Sequence, residues 1–159
     1  MNLTFKSEQI VAQLQGTTAM QVIDELVAHL VTVGVIAPEA SEPVTLALKH
    51  REHSMSTGIG FGVAIPHAAS DLIKEPIVAF GRSTGGIQFD ALDHQPVQLV
   101  VMMIVPIGER QKHLPILAGV SRLLHNREVR TALQNAADAA AIMQILNERC
   151  AAAPALKAA

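Results

Sequence analysis

The run from Arg51 to His67, REHSMSTGIGFGVAIPH, constrains this chain more than any other stretch. Gly58, Gly60 and Gly62 occupy every second position, so the backbone N–H groups there are free of flanking bulk and can close around an anion. Val63-Ala64-Ile65 is apolar and short, as a buried strand would be. Pro66 fixes its own φ, supplies no N–H and keeps Ile65 extended. Strand pairing is therefore expected to stop there and to leave His67 at a strand end. A histidine held beside glycine-rich backbone can serve as nucleophile, base or metal ligand. It can equally be an ordinary half-buried side chain, and glycines also mark plain turns.

The surrounding elements follow from residue spacing. Ile10, Ala12 and Leu14 alternate across Gln9 to Leu14, which predicts a first strand. Val22, Ile23, Leu26, Val27, Leu30 and Val31 recur at helical spacing, with Thr17 or Thr18 as N-cap and Gly34 as the stop. Ser41-Glu42-Pro43 is expected to open a second helix. Its last turn carries His50, Arg51 and His53, whose basic character suits the negative end of a helix dipole. Pro76 to Phe80 and Ile87 to Phe89 read as strands separated by a turn over Gly81 to Gly86. Asp90, Asp93 and His94 fall in the loop that follows, and acidic residues there are ordinary turn formers. Val97 to Val105 is almost continuously apolar, as in a central strand covered on both faces, and Pro106 and Gly108 end it. Pro115 belongs in a first turn, which puts His113 near a helix N-terminus where free amides and the dipole favour an anion. Asn126 caps a short helix through Leu133, and a last helix around Ile142, Met143, Ile145 and Leu146 completes the domain. Helices interspersed with short strands indicate an α/β class.

At 159 residues the chain suits one domain, which buries roughly 70% of the surface its unfolded form exposes. Four Phe and no Trp or Tyr leave an aliphatic core and no platform for stacking bases. With a formal charge of −2 and no basic run, nucleic-acid binding of the usual kinds is disfavoured. The N-terminal MNLTFKSEQI lacks the apolar run of a signal peptide, and Val97 to Val105 is too short to span a bilayer, so a cytoplasmic protein with no membrane insertion is expected. The single cysteine, Cys150, has no partner for an internal disulfide and is distant in sequence from the histidines, so it is given no catalytic role.

Taken together, Arg51-Glu52, Ser56-Thr57-Gly58, Gly60, Gly62 and Ala64-Ile65-Pro66-His67 resemble the phosphorylation-site stretch of the enzyme IIA components of the phosphoenolpyruvate-dependent sugar phosphotransferase system, in the branch containing the fructose, mannitol and nitrogen-regulatory IIA domains. A second element of that family, HLxxLAxxxxLL, is matched by His113-Leu114, Leu117-Ala118 and Leu123-Leu124. Pro76-Ile77-Val78, Ile87 to Asp93 and Pro96-Val97 resemble its middle segment. Phe61 stands where the family usually carries a polar residue, commonly Asn, and Ala68-Ala69 replace its small-plus-basic continuation. The resemblance implies a mixed central sheet with helices on both faces, a three-layer α/β/α arrangement. It covers residues 1–149 as one IIA domain, leaving 150–159 as an Ala-rich tail.

The resemblance also implies that His67 accepts a phosphoryl group, with Arg51 and His113 as catalytic partners and Thr57, Gly58, Gly60 and Gly62 around the phosphate. Transfer from a donor phosphohistidine needs orientation and neutralisation of oxygen charge, and neither a cofactor nor a metal is required. No GxxxxGK[ST] loop or dinucleotide fingerprint is present. The implied donor is phospho-HPr or its nitrogen-branch counterpart. The recipient is either a regulatory protein or the cysteine of a IIB domain in uptake of a sugar such as fructose or mannitol. A free-standing domain of this length looks more like the nitrogen-regulatory members. A metal-dependent hydrolase drawing on His50, His53, His67, Asp90, Asp93, His94 and His113 is a third reading, although the histidine pair lacks the HExxH spacing.

Overall fold

Val97–Pro106, the last strand in the chain, is the axis of the structure. In the computed structural model, which describes residues 3–153, the strands are β1 (Ile10–Val11), β2 (Gly58–Gly60), β3 (Val63–Ala64), β4 (His67–Ser70), β5 (Ile77–Ile87) and β6 (Val97–Pro106). The helices are α1 (Ala19–Thr32), α2 (Pro38–Ser54), α3 (Arg110–His125), α4 (Arg127–Asn135) and α5 (Ala139–Ala152). Among the described residues the six strands form one sheet in the order β1-β5-β6-β3-β2, with β4 also paired to β6. Pairing is antiparallel for β5–β6 and β2–β3 and parallel for β1–β5, β3–β6 and β4–β6, so the sheet is mixed.

Because β6 is covered on both faces, its alternate residues enter two cores. Val100, Met102 and Ile104 pack with Ile23, Leu26 and Leu48 of α1 and α2. Leu99, Val101, Met103 and Val105 pack with Val120, Leu124, Leu133 and Leu146 of α3, α4 and α5. This is the expected three-layer arrangement, with the helices divided between the two faces of the sheet. Thr18 caps α1 by accepting from the Gln21 amide, and Asn126 caps α4 by accepting from the Glu128 and Val129 amides.

Several boundaries differ from the sequence expectation. The first strand is only Ile10–Val11, preceded by a 3-10 turn at Ser7–Gln9. The Ala12 carbonyl is taken by the buried Arg82 guanidinium at 3.0 Å. Helix α2 begins at Pro38, not Ser41, because Pro38 itself fills the N1 position. Pro43 is then interior, and both it and Glu39 lie on the exposed side, where water can satisfy the carbonyl its missing N–H would have met. Strand β5 runs unbroken from Ile77 to Ile87, with a register irregularity between Arg82 and Ile87, where two strands and a turn were expected. Gly81 is there to admit the Leu14 side chain, since a Cβ at that position would lie 2.6 Å from Leu14 Cδ1. Helix α3 starts at Arg110, a turn before the start inferred from Pro115, which is its sixth residue.

Helix α4 continues to Asn135, and α5 carries fully buried Cys150 and ends at Ala152, past the boundary drawn at 149. The rest of the tail, 154–159, lies outside the described residues. No helix among the described residues is long and apolar enough to cross a membrane.

Candidate functional site

Beside β6 the chain makes one interrupted neighbour out of β3 and β4. Ala64 lies opposite Val100 and His67 opposite Met103. Pro66 breaks the row of donors, yet its carbonyl still accepts the Met103 amide at 2.9 Å, so pairing resumes at once. His67 therefore opens a strand, whereas the sequence placed it where one stops. The proline removes only an N–H, and the parallel partner needs the carbonyl.

His67 is half-buried, and its Nδ1 lies 2.8 Å from the Ile65 carbonyl oxygen. A carbonyl only accepts, so Nδ1 carries the proton and Nε2 keeps the lone pair. Burial pulls the His67 pKa below its ordinary value; the Ile65 hydrogen bond and Glu52 oppose this, while the positive charges of Arg51 and Arg110 reinforce it. The result favours a neutral ring ringed by cations.

His67 faces a cleft of about 390 Å³ between α2, β4 and α3. Helix α2 contributes His50, Arg51 and Ser54 to its wall, and α3 contributes Arg110, His113 and Leu114. Arg51 donates through one guanidinium nitrogen to the Met55 carbonyl at 2.8 Å, which anchors its fork near the end of α2. His113 lies one turn into α3 with its side chain 12% exposed, and its Nε2 is 3.2 Å from Glu109 Oε2. That contact, together with Lys112, holds the Glu109 carboxyl below the usual range. His113 Nδ1 is buried and has no hydrogen-bond partner. An unpaired buried nitrogen costs free energy, so this ring is held in place by its Glu109 contact and its packing and not by a bond at Nδ1.

The cleft thus joins three of the residues singled out in the sequence, Arg51, His67 and His113. Thr57, Gly58, Gly60 and Gly62 do not line it. Thr57 is buried, with its amide and hydroxyl both donated to Glu52. The Gly58 amide donates to Ser56 Oγ, and the amide of Phe61 donates to Asp93 Oδ2 at 2.9 Å. Gly60 and Gly62 have φ of 93° and 74°, which the tight β2–β3 hairpin requires. Asp93 also accepts from Gln95 as a turn former. His50, read in the sequence as dipole compensation, lines the cleft one turn before Ser54. Arg110 was missed altogether. Its signal was available, because a cation in the first turn of a helix opposes the dipole and calls for another reason to be there. Among the described residues no group of three or more His, Cys, Asp and Glu is placed to hold a metal ion, so the hydrolase reading finds no ligand set.

Residues 3–149 match the model of the family described as "Phosphoenolpyruvate-dependent sugar phosphotransferase system, EIIA 2". The chain belongs to this EIIA family. It is 43% identical over 102 residues to the PTS system fructose-specific EIIA component of Haloferax volcanii, covering 64% of this chain and 66% of that one. It is 32% identical over 139 residues to a nitrogen regulatory protein of Bradyrhizobium diazoefficiens, covering 87% and 89%. The matched stretch spans under two thirds of the Haloferax protein and 20% of the Bacillus subtilis fructose-specific EIIABC component. Among solved structures, nitrogen regulatory protein IIA-Ntr from Neisseria meningitidis superposes with a TM-score of 0.80 at 28% identity over 89% of this chain and 94% of that one. IIA mannitol from Escherichia coli shares the fold, with a TM-score of 0.75 at 20% identity over 91% and 99%.

Proposed function

We propose that this EIIA domain is a phosphocarrier whose His67 takes a phosphoryl group from the phosphohistidine of HPr or its nitrogen-branch counterpart. The observation that carries the reading is the His67–Ile65 hydrogen bond, which leaves the Nε2 lone pair for the cleft. Nε2 attacks phosphorus in line as the donor's N–P bond breaks, and the donor imidazole leaves with the bonding pair. Arg51 and Arg110 have two effects here. They disfavour a protonated His67 and attract the three oxygens that arrive. His113 pairs through Nε2 with Glu109 and lines the cleft beside His67, where its ring can orient the arriving group. Thr57 and the glycines at 58, 60 and 62 serve the phosphoryl group indirectly, by fixing the hairpin that leads into His67. Such a carrier operates in the cytoplasm and needs no cofactor.

The chain reads best as a nitrogen-regulatory IIA protein, supported by the 89% coverage of the Bradyrhizobium relative and by the likeness to IIA-Ntr. The 43% identity to a fructose-specific component favours a second reading, in which the phosphoryl group passes on to a IIB cysteine for sugar uptake. Incubating the phosphorylated protein with fructose- and mannitol-type IIB domains separates the two. No loss of phosphate to either IIB is expected, whereas rapid transfer to a IIB cysteine would make this a transport component.

A further inference from the structure

The geometry points to Glu52 as a positioning residue for His67, acting through Thr57 and Ile65, an inference that rests on the phosphocarrier reading. Glu52 is in the last turns of α2 and only 6% exposed. Its two carboxylate oxygens accept the Thr57 amide at 3.1 Å each, and Oε2 also accepts the Thr57 hydroxyl. With both donors committed to one buried carboxylate, the orientation of the Thr57 peptide is fixed. The Thr57 carbonyl then accepts the Ile65 amide at 3.0 Å. The Ile65 carbonyl accepts the His67 Nδ1–H at 2.8 Å.

Every bond in this series donates in the same direction, from the imidazole toward the carboxylate. The N–H and C=O of each residue belong to successive peptide units joined through Cα, so the series acts by fixing their orientations and by the through-space field of the buried carboxylate, which favours a proton on the nitrogen that points back along it. The ring is thereby held as the Nδ1–H tautomer, with Nε2 toward the cleft. The Glu52 charge also reaches the imidazole directly, where it opposes the effect of Arg51 on protonation. A carboxylate that merely braced α2 against β2 would fix the backbone and leave the tautomer alone. Glu52 lies next to Arg51 in sequence, so one helix turn supplies both the cation of the cleft and the anion behind the ring.

The ring nitrogens of His67 give the test. Unphosphorylated ¹⁵N-labelled wild type, Glu52→Gln, Thr57→Val and Thr57→Ser are compared by long-range ¹H–¹⁵N correlation at a pH where the ring is neutral, and each is assayed for its rate of phosphorylation by phospho-HPr. Wild type and Thr57→Ser are expected to show separate shifts for a protonated Nδ1 and a bare Nε2. In Glu52→Gln the two shifts move toward each other, and the rate falls roughly tenfold or more, as expected for a misplaced nucleophile; Thr57→Val, which loses the hydroxyl and keeps the amide donor, moves both readouts the same way by a smaller amount. If folded Glu52→Gln and Thr57→Val keep the wild-type ring shifts, Glu52 is only a brace and the proposal is wrong. If Glu52→Gln does not fold, Glu52→Asp, whose shorter side chain cannot hold both Thr57 donors, takes its place with the same two outcomes. A wild type that accepts no phosphoryl group would end the carrier reading, while the ring shifts would still decide the role of Glu52.

Discussion

The Nδ1 of His67 lies 2.8 Å from the carbonyl oxygen of Ile65, two residues back in the same chain. That bond selects the tautomer, and burial of the same ring lowers its pKa. The unfolded chain therefore binds a proton to His67 at a higher pH than the folded protein does. Stability should fall as the pH drops from about 6.5 through the lowered folded value, and level off below it. Urea unfolding across that window, compared with His67→Gln, should show a shallower pH dependence in the variant. An identical slope would mean that the ring is not held neutral by burial.

Arg51 presents a planar fork beside His67 that lysine cannot reproduce. Arg51→Lys should keep the fold and slow phosphorylation roughly tenfold to a hundredfold, because one point charge replaces two oriented donors. Arg51→Ala should slow it at least as much and raise the His67 pKa, since the cation that opposes ring protonation is gone. An NMR titration of the imidazole reads the second effect independently of the first.

Phe61 occupies the left-handed region at φ 58°, is 54% exposed, and lies 4.7 Å edge-on from the His125 ring with the Arg130 guanidinium 5.0 Å over its own. The backbone strain at a non-glycine residue costs roughly 1–2 kcal/mol, and the cation–π contact returns about 0.5–1 kcal/mol. Phe61→Gly should therefore change stability by less than about 1 kcal/mol in the wild type and stabilise more in an Arg130→Ala background. A double-mutant cycle measured by chemical denaturation gives the coupling. A value near zero would mean that the stacked arrangement contributes nothing in solution.

Arg82 is 7% exposed and donates to the carbonyls of Ala12, Leu133, Gln134 and Ala136, which ties β1 to the end of α4. Arg82→Met leaves those carbonyls without their donor and should cost roughly 2–4 kcal/mol. Phosphorylation by the fraction that remains folded should be unchanged. A drop in transfer by folded protein would contradict a purely structural role.

What was legible in the sequence divides by physical cause. The central strand at Val97 to Val105 and the caps at Thr18 and Asn126 depend on local spacing, and each is where that spacing put it; that Arg51, His67 and His113 line one cleft follows from tertiary structure, and the sequence suggested their grouping only through a motif. The glycines were harder. A glycine has several uses, and only tertiary contacts distinguish them: Gly81 admits Leu14, whereas Gly60 and Gly62 turn a hairpin. Pro43 and Pro115 misled in the same way, because a proline is tolerated wherever its missing N–H costs little, not only in a first turn. Glu52 gave no sequence signal beyond its place beside Arg51. Its role depends on the Thr57 and Ile65 bonds, which exist only once the strands are paired.

The central claim, that His67 carries the phosphoryl group, is tested most directly by intact mass. The protein and its His67→Ala variant are incubated with phosphoenolpyruvate, enzyme I and HPr, and again with the nitrogen-branch pair. One acid-labile phosphoryl group is expected on the wild type and none on the variant. An unmodified wild type with both donor pairs, or an equally modified variant, would contradict the account.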